Sequence, residues 1–125
     1  MGRVGLRKML GTVGWGAVAL GLITTGAPAA TIPDSQAISH VGQTATVQGT
    51  VSNVHVSGKG TVFINFGDAY PNQDFTAVIF SSSAGAFGDV VRLDGKKLAV
   101  TGPITMWKGK PEMILRTPAN LRVVP

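Results

Sequence analysis

The sequence contains no cysteine, and this absence removes several classes of protein at once. Without thiols the chain cannot form a disulfide framework, a thiolate zinc site, an iron–sulfur cluster or a cysteine nucleophile. Charge is also sparse, because only 14% of the residues are Asp, Glu, Lys or Arg. That fraction is too low for a disordered polyelectrolyte, so the fold depends on an apolar core.

The composition is also unfavourable for helices. Its 125 residues include 17 glycines, which are poor helix formers, and they have room for one domain at most. A two-domain enzyme is therefore excluded, and the composition, which is poor in the Ala, Glu, Lys and Leu of helical bundles, favours a single β-rich domain.

The first thirty residues have the order of a secretory signal. Arg3, Arg7 and Lys8 precede an uncharged run at 9–23, and the small residues at 27–29 form an A-x-A cleavage site. We expect cleavage after residue 29 and an exported protein, periplasmic or secreted, with no stable membrane insertion afterwards. The alternative is an uncleaved membrane anchor, which the five glycines between 11 and 26 and the short apolar run disfavour.

Removal of this segment changes the charge of the protein. Three of the eleven lysines and arginines lie in it, so the remaining chain has eight against six acids and a formal charge of +2 instead of +5. A nearly balanced domain gives no general argument for a polyanionic partner.

The rest of the chain reads as strands. Residues 30–42 are polar and contain Pro33, which predicts a lead-in rather than a packed element, and the folded domain is expected over 43–125. Alternation then predicts a long strand at 44–56 with a bulge near Ser52 and Asn53, and further strands at 61–67, 75–80, 97–106 and 111–116. Pro103 is expected to break or bend the strand at 97–106. A last pairing segment is predicted at 121–124, and at most one short helix at 84–93, where Gly85 and Gly88 weaken it.

Five strands with a bulged first strand predict a small closed barrel, because a bulge lets one strand bend around a corner and serve both halves. An immunoglobulin-like sandwich would need about seven strands and is the alternative.

Several stretches also resemble a known family. They are VGQTATVQGTV at 41–51, GTVFINFG at 60–67, YPNQDFTAVI at 70–79, GKKLAVTG at 95–102 and KGKPEMI at 108–114. Together they resemble the OB-fold nucleic-acid-binding modules, of the tRNA-anticodon-binding type, that are fused to staphylococcal-type nucleases. The resemblance implies an all-β, five-stranded Greek-key OB barrel and a single-stranded nucleic-acid or nucleotide ligand. A separately encoded nuclease and an envelope protein are the candidate protein partners.

The residues offer no pattern for catalysis, a metal or a cofactor, and we expect a protein that is not an enzyme. His55, near the end of the first strand, is interpreted as a surface residue because no nucleophile motif accompanies it. The oxygen-bearing side chains of Asp68, Asn72 and Asp74 lack the spacing of a calcium loop. We interpret them as loop residues, and we expect Asn72 and Gln73 to hydrogen-bond within their own loop.

Binding of single-stranded nucleic acid needs flat rings for stacking and cations for phosphates. In the second strand Val62, Ile64 and Phe66 are expected to face the core, which leaves Phe63 as a stacking platform with Asn65 beside it. The alternative for Phe63 is a core position. Tyr70, in a polar loop, is a second candidate, with a ring folded over the barrel mouth as its alternative.

Lysines at two turns complete the predicted site. Lys59 lies in the turn after the first strand, and Trp107 is followed by Lys108 and Lys110 at the last hairpin. A tryptophan beside two lysines matches stacking combined with phosphate contact, whereas the alternative has Trp107 packed on the rim and the lysines keeping an edge soluble.

Three functions therefore stand at this point. The first is an exported OB module for single-stranded DNA or RNA. Its affinity is expected to be weak, because few cations are available, and to fall as salt rises, because those cations contact phosphates. The second is a periplasmic stress-type OB protein that binds a small ligand or an envelope protein. The third is an envelope interaction protein that pairs through exposed strand edges.

Overall fold

The structure, a computed structural model, describes residues 29–125 of the chain. The predicted signal segment, residues 1–29, lies outside the described residues apart from Ala29. Within residues 29–125, no helix has the length and apolar character that crossing a membrane would require.

Strands form most of the regular structure. They are, in chain order, β1 Thr31–Pro33, β2 Thr44–Val56, β3 Val62–Phe66, β4 Phe75–Ile79, β5 Lys97–Pro103, β6 Thr105–Trp107, β7 Lys110–Ile114 and β8 Leu121–Val123. The described chain has one short α-helix, α1 Ser81–Ala84, and 3₁₀ turns at Asp34–His40, Gly85–Phe87, Val90–Leu93 and Pro118–Asn120. The all-β prediction with one short helix is confirmed.

The strands join in the order β6-β7-β4-β3-β2-β5-β8, and β1 pairs with β2 off this path. Neighbours on the path are antiparallel except β4 and β7, which are parallel. The parallel pair brings the last hairpin beside a strand that precedes it by more than thirty residues, and this placement builds one wall of the site described below.

The long strand β2 serves both halves of the sheet, as its bulge predicted. Residues Thr44–Thr50 pair with β5, residues Val51–Val56 pair with β3, and the register shifts between Val51 and Asn53. The shift lies at the point where the partner strand changes, because an extra residue bends the strand there.

The core lies on the inner faces of these strands. Val62, Ile64 and Phe66 are all at most 2% exposed, so the predicted inner face of β3 is confirmed. The ring of Phe66 packs against that of Phe75 on β4, with 5.4 Å between the centroids. The alternation of β2 also holds, since Ala45, Val47 and Val51 are buried. With the inner faces filled in this way, the polar and aromatic residues between them point to the outer face.

The predicted closed barrel of five strands is wrong in its count and in its closure. The described residues form eight strands, and the hydrogen-bonded path ends at β6 on one side and at β8 on the other. The predicted fourth strand divides at Pro103 and Ile104, because proline has no N–H and the amide of Ile104 donates to the carbonyl of Gln43 instead. Strand β6 then turns away to pair with β7.

The segment before β2 is packed, contrary to the prediction of a lead-in. Thr31–Pro33 pairs in parallel with Thr46–Gln48, and Ala37 in the following 3₁₀ turn is completely buried. Two buried apolar residues, Ile32 and Ala37, are too few to form a period in a polar segment, so the sequence carried no usable signal.

Candidate functional site

A groove of about 540 Å³ lies on the outer face of the sheet. Its floor comes from β2, β3 and β4, and its walls come from the loop 67–74 and from the β6–β7 hairpin. Six of the seven residues predicted as a binding site line it, namely Phe63, Asn65, Tyr70, Trp107, Lys108 and Lys110. Among the residues that sequence reasoning did not assign to the site are Asn53, His55, Gln73, Thr76 and Glu112.

The seventh predicted residue, Lys59, is exposed in the turn between β2 and β3 and does not line the groove. A ligand that fills only the groove therefore has no contact with Lys59.

Three aromatic side chains offer rings to the groove. Tyr70 is 67% exposed and Trp107 is 60% exposed, so neither ring is folded into the core. Phe63 is half-buried, and its ring stacks on that of His55 with 6.1 Å between the centroids and 28° between the planes. The two rings meet because Phe63 on β3 and His55 on β2 are direct register partners, and the side chains of such partners lie on the same face of the sheet.

The hairpin that carries Trp107 owes its shape to two residues with positive φ. Lys108 has φ 50° and Gly109 has φ 80°, and Trp107 pairs with Lys110 across the turn. Two consecutive residues with positive φ make the tight hairpin turn whose twist matches that of the strands. The turn places the Lys108 ammonium 5.6 Å from the centroid of the Trp107 ring, within range of a cation–π contact.

The second lysine of the hairpin is anchored. The Nζ of Lys110 donates a hydrogen bond of 3.1 Å to the backbone carbonyl of Gln73, which ties β7 to the loop 67–74. The hairpin and the loop therefore form the two sides of one groove, with a positive charge on the hairpin side.

A row of polar side chains crosses the floor of the groove. Asn53, Asn65, Thr76 and Glu112 are successive register partners on β2, β3, β4 and β7. Asn65 Nδ2 donates to Asn53 Oδ1 at 3.1 Å, and Thr76 Oγ1 donates to Asn65 Oδ1 at 2.9 Å. Asn65 is 3% exposed, so it forms part of the floor and is less accessible than the prediction had it.

Gln73 continues this row from the loop. Its side chain is 4% exposed, and its Nε2 donates to Thr76 Oγ1 at 3.2 Å. The prediction that Gln73 bonds within its own loop is wrong for the side chain, because β4 begins two residues later and brings Thr76 within reach. Burial of a polar residue next to a turn carries no sequence pattern that we could have used.

Glu112 places a carboxyl group at the end of the same row. It is half-buried, and this burial raises the pKa of its carboxyl above the ordinary value of 4.5. The groove therefore combines ammonium groups on its hairpin wall with acceptor oxygens on its floor.

A pair of carboxyl groups lies away from the groove lining. Burial, with the charge and hydrogen bond of Asp74 as further causes, raises the pKa of Asp34 above 3.8. Two glycines leave room for the pair: a Cβ on Gly49 would stand 2.7 Å from Asp34 Oδ1, and Gly67, with φ 85°, lies against both carboxyls. No sequence pattern indicates this pair, because its members lie forty positions apart.

The described residues gather no group of three or more His, Cys, Asp or Glu side chains that could hold a metal ion. Asp68 accepts a hydrogen bond from the amide of Ala69 at 2.8 Å, as its interpretation as a loop residue predicted.

Comparison with known proteins shows the fold but no family. No family model and no curated protein matches the chain. The binder OBody AM1L10, solved bound to hen egg-white lysozyme, matches over 78% of this chain and 96% of its own, with a TM-score of 0.56 and 15% identity. The chain has an OB-type fold.

Two larger proteins share the same architecture. A protein described as an aspartyl-tRNA synthetase from Leishmania major Friedlin matches 86% of this chain with a TM-score of 0.54 and 15% identity. The asparaginyl-tRNA synthetase of Entamoeba histolytica matches 77% with a TM-score of 0.53 and 20% identity. This chain spans 23% of the length of each synthetase. The matches support the OB fold, and the likeness to nuclease-associated modules stays a prediction.

Proposed function

We propose that this protein is an exported, non-catalytic OB-fold protein that binds single-stranded nucleic acid or short oligonucleotides in the groove. The observation that carries the proposal is the convergence of Phe63, Tyr70 and Trp107 with the ammonium groups of Lys108 and Lys110 around one cavity. Stacking rings beside a cationic wall are the elements that such ligands require.

The composition of the groove sets the expected strength of binding. Each base that stacks on an aromatic ring contributes roughly 1–3 kcal/mol, whereas two lysines neutralise few phosphates. We therefore expect dissociation constants on the order of micromolar or weaker near physiological salt, with a shallow salt dependence.

The structural neighbours support this proposal at the level of the fold. Two of them are named as tRNA synthetases, and tRNA is a nucleic acid. We extend that class of ligand to this chain because the aromatic and basic side chains gather on its outer face.

The second candidate function is binding of a small molecule or of an envelope protein by a stress-type periplasmic OB protein. A groove of about 540 Å³ has the size of a small-molecule site, which typically measures about 300–1,000 Å³. The OBody neighbour is bound to a protein, lysozyme. This candidate predicts ligand binding that does not respond to oligonucleotides.

Export is part of the proposal and rests on the basic, apolar and small-residue order of residues 1–29. The N-terminal sequence of the protein recovered outside the cytoplasm is expected to begin at Ala30. A protein that retains Met1 and stays in the membrane fraction would instead support the uncleaved anchor.

The deciding experiment is a titration of fluorescently labelled oligonucleotides with the protein, followed by anisotropy at about 50 and 200 mM salt. We expect saturable binding that weakens several-fold at the higher salt. Absence of binding at the lower salt would reject the nucleic-acid proposal. A thermal-shift screen against small ligands would then test the second candidate.

A further inference from the structure

The carbonyl oxygen of the Gln73 side chain is a buried acceptor without a partner. The residue is 4% exposed and is one of those that line the groove, and its buried Oε1 has no hydrogen bond within the described structure. Buried polar atoms in native proteins are almost always paired, so an open one at the floor of a groove points to a ligand that completes it.

The direction of the hydrogen bonds explains why this particular oxygen is left over. Gln73 Nε2 donates to Thr76, the Thr76 hydroxyl donates to Asn65 Oδ1, and Asn65 Nδ2 donates to Asn53 Oδ1. Each step of the relay therefore uses a donor of one side chain and an acceptor of the next. The amide of Gln73 begins the relay with its N–H, and its oxygen stays open.

A second acceptor lies on the other side of Thr76. Glu112 is the register partner of Thr76 across β4 and β7, and its half-buried carboxyl lines the same groove. Two residues that carry acceptor oxygens, Gln73 and Glu112, are thus both neighbours of Thr76, one through a hydrogen bond and the other through strand register. The cations lie on the hairpin wall, where Lys108 sits over Trp107 and Lys110 is tied to the loop.

We infer that this floor reads one nucleobase through its N–H donors and prefers guanine. The inference rests on the proposed function. Guanine presents two adjacent donors, N1–H and the 2-amino group, to a pair of acceptors, while its ring stacks between the aromatic side chains. Uracil and thymine present one N–H between two carbonyl oxygens, and these oxygens repel the acceptors on the floor. Adenine and cytosine offer one amino group and rank between them.

The test uses short oligonucleotides in which one base of a thymine tract is replaced in turn by guanine, adenine, cytosine or hypoxanthine. We expect the guanine oligonucleotide to bind about tenfold more tightly than the all-thymine one, within the discrimination typical of a paired base contact. Hypoxanthine keeps N1–H and lacks the 2-amino group, so it is expected to lose about half of this advantage on a logarithmic scale.

Variants of the protein locate the effect. Gln73→Met removes the open acceptor at nearly constant size, and we expect it to abolish most of the preference for guanine over thymine. Gln48→Met is the matched control, because Gln48 is half-buried on β2 and does not line the groove. It is expected to leave the order of the four bases unchanged.

The outcomes separate this inference from the function on which it rests. If no oligonucleotide binds, the proposed function fails. If all bases bind equally, the inference is overturned while the proposed function stands. Should Gln73→Met lower the thermal midpoint so far that it cannot be titrated, the comparison of guanine with hypoxanthine on the unaltered protein decides. Equal affinity for those two bases would overturn the donor-pair reading.

Discussion

Two hairpin turns of this protein carry the same residue types and differ in what lies beside them. The turn after β2 contains Lys59 and Gly60, with φ 88° at the glycine, and the turn after β6 contains Lys108 and Gly109, with φ 80°. Lys59 lies outside the groove lining, whereas Lys108 sits over the ring of Trp107 at the groove wall. A lysine in a glycine turn therefore does not line the groove by virtue of its turn alone. The aromatic ring that precedes it, and the sheet onto which the hairpin folds, make the difference.

The largest expected effect comes from removing that ring. Trp107→Ala deletes a 60% exposed stacking surface, and we expect oligonucleotide affinity to fall about tenfold or more, since one stacked base contributes roughly 1–3 kcal/mol. Anisotropy of a labelled oligonucleotide measures it without relying on tryptophan fluorescence. Phe80→Ala removes another exposed ring that lies outside the lining and should leave affinity unchanged. Equal losses of affinity in both variants would contradict the assignment of binding to the groove rather than to the surface outside it.

The lysines test the comparison directly and should give a smaller effect. Lys108→Asn removes the charge and keeps a residue that tolerates positive φ, so the hairpin is retained. We expect affinity to fall about threefold to tenfold and the slope of log K against log salt to decrease by about 1. Lys59→Gln removes one charge from the other turn and should change neither value for a ligand short enough to stay in the groove. Reversal of this order would move the site to the first hairpin.

The smallest effect concerns stability rather than binding. It involves Asp74, which ends the loop 67–74, and neither of the two hairpin turns. The pKa of Asp34 is raised in the folded protein, so the folded state holds a proton that the unfolded state releases above about pH 3.8. The free energy of unfolding therefore falls as the pH rises through the interval between 3.8 and the raised value.

Asp34→Asn supplies a permanent donor toward Asp74 and should remove this part of the pH dependence. We expect the variant to have the higher thermal midpoint at pH 7 and to approach the unaltered protein near pH 3. Asp94→Asn, at an exposed turn, is the control. Midpoints of Asp34→Asn that follow those of the unaltered protein at every pH would contradict the raised pKa of Asp34 as the source of this pH dependence.

Local patterns predicted the parts of the fold that depend on one strand at a time. Alternation in 44–51 and 62–66 identified the inner faces correctly, because a strand with one buried face repeats every two residues, whereas Val56, at the end of the long strand, is 44% exposed. The bulge near Asn53 was visible as a slip in that repeat. Strand β1 was not predictable in the same way, since its three residues are too short to show a period, whereas β8 lies within the pairing segment predicted at 121–124.

The residues of the groove divide in the same way, into those that one strand or hairpin reveals and those that depend on pairing between strands. Phe63 and Trp107 were predictable because an aromatic residue on an outer face or at a hairpin is unusual by itself. Gln73, Thr76 and Glu112 were not, because their roles come from register between strands and from a hydrogen-bond relay. No property of a glutamine in sequence tells whether its carbonyl oxygen will be buried without a partner.

The division of β2 between two partners has a consequence for the order in which the protein assembles. Strands β2, β3 and β4 follow one another along the chain, so their pairing closes only short loops, whereas Thr46 meets Thr101 across more than fifty residues. We expect the β2–β3–β4 meander to form early and β5, β6 and β7 to join it later. Asn53, Asn65 and Thr76 all belong to the meander, so most of the groove floor is in place before the Trp107 wall arrives. A nascent chain would thus possess the polar floor that we propose reads a base before it possesses the ring that we propose stacks on it.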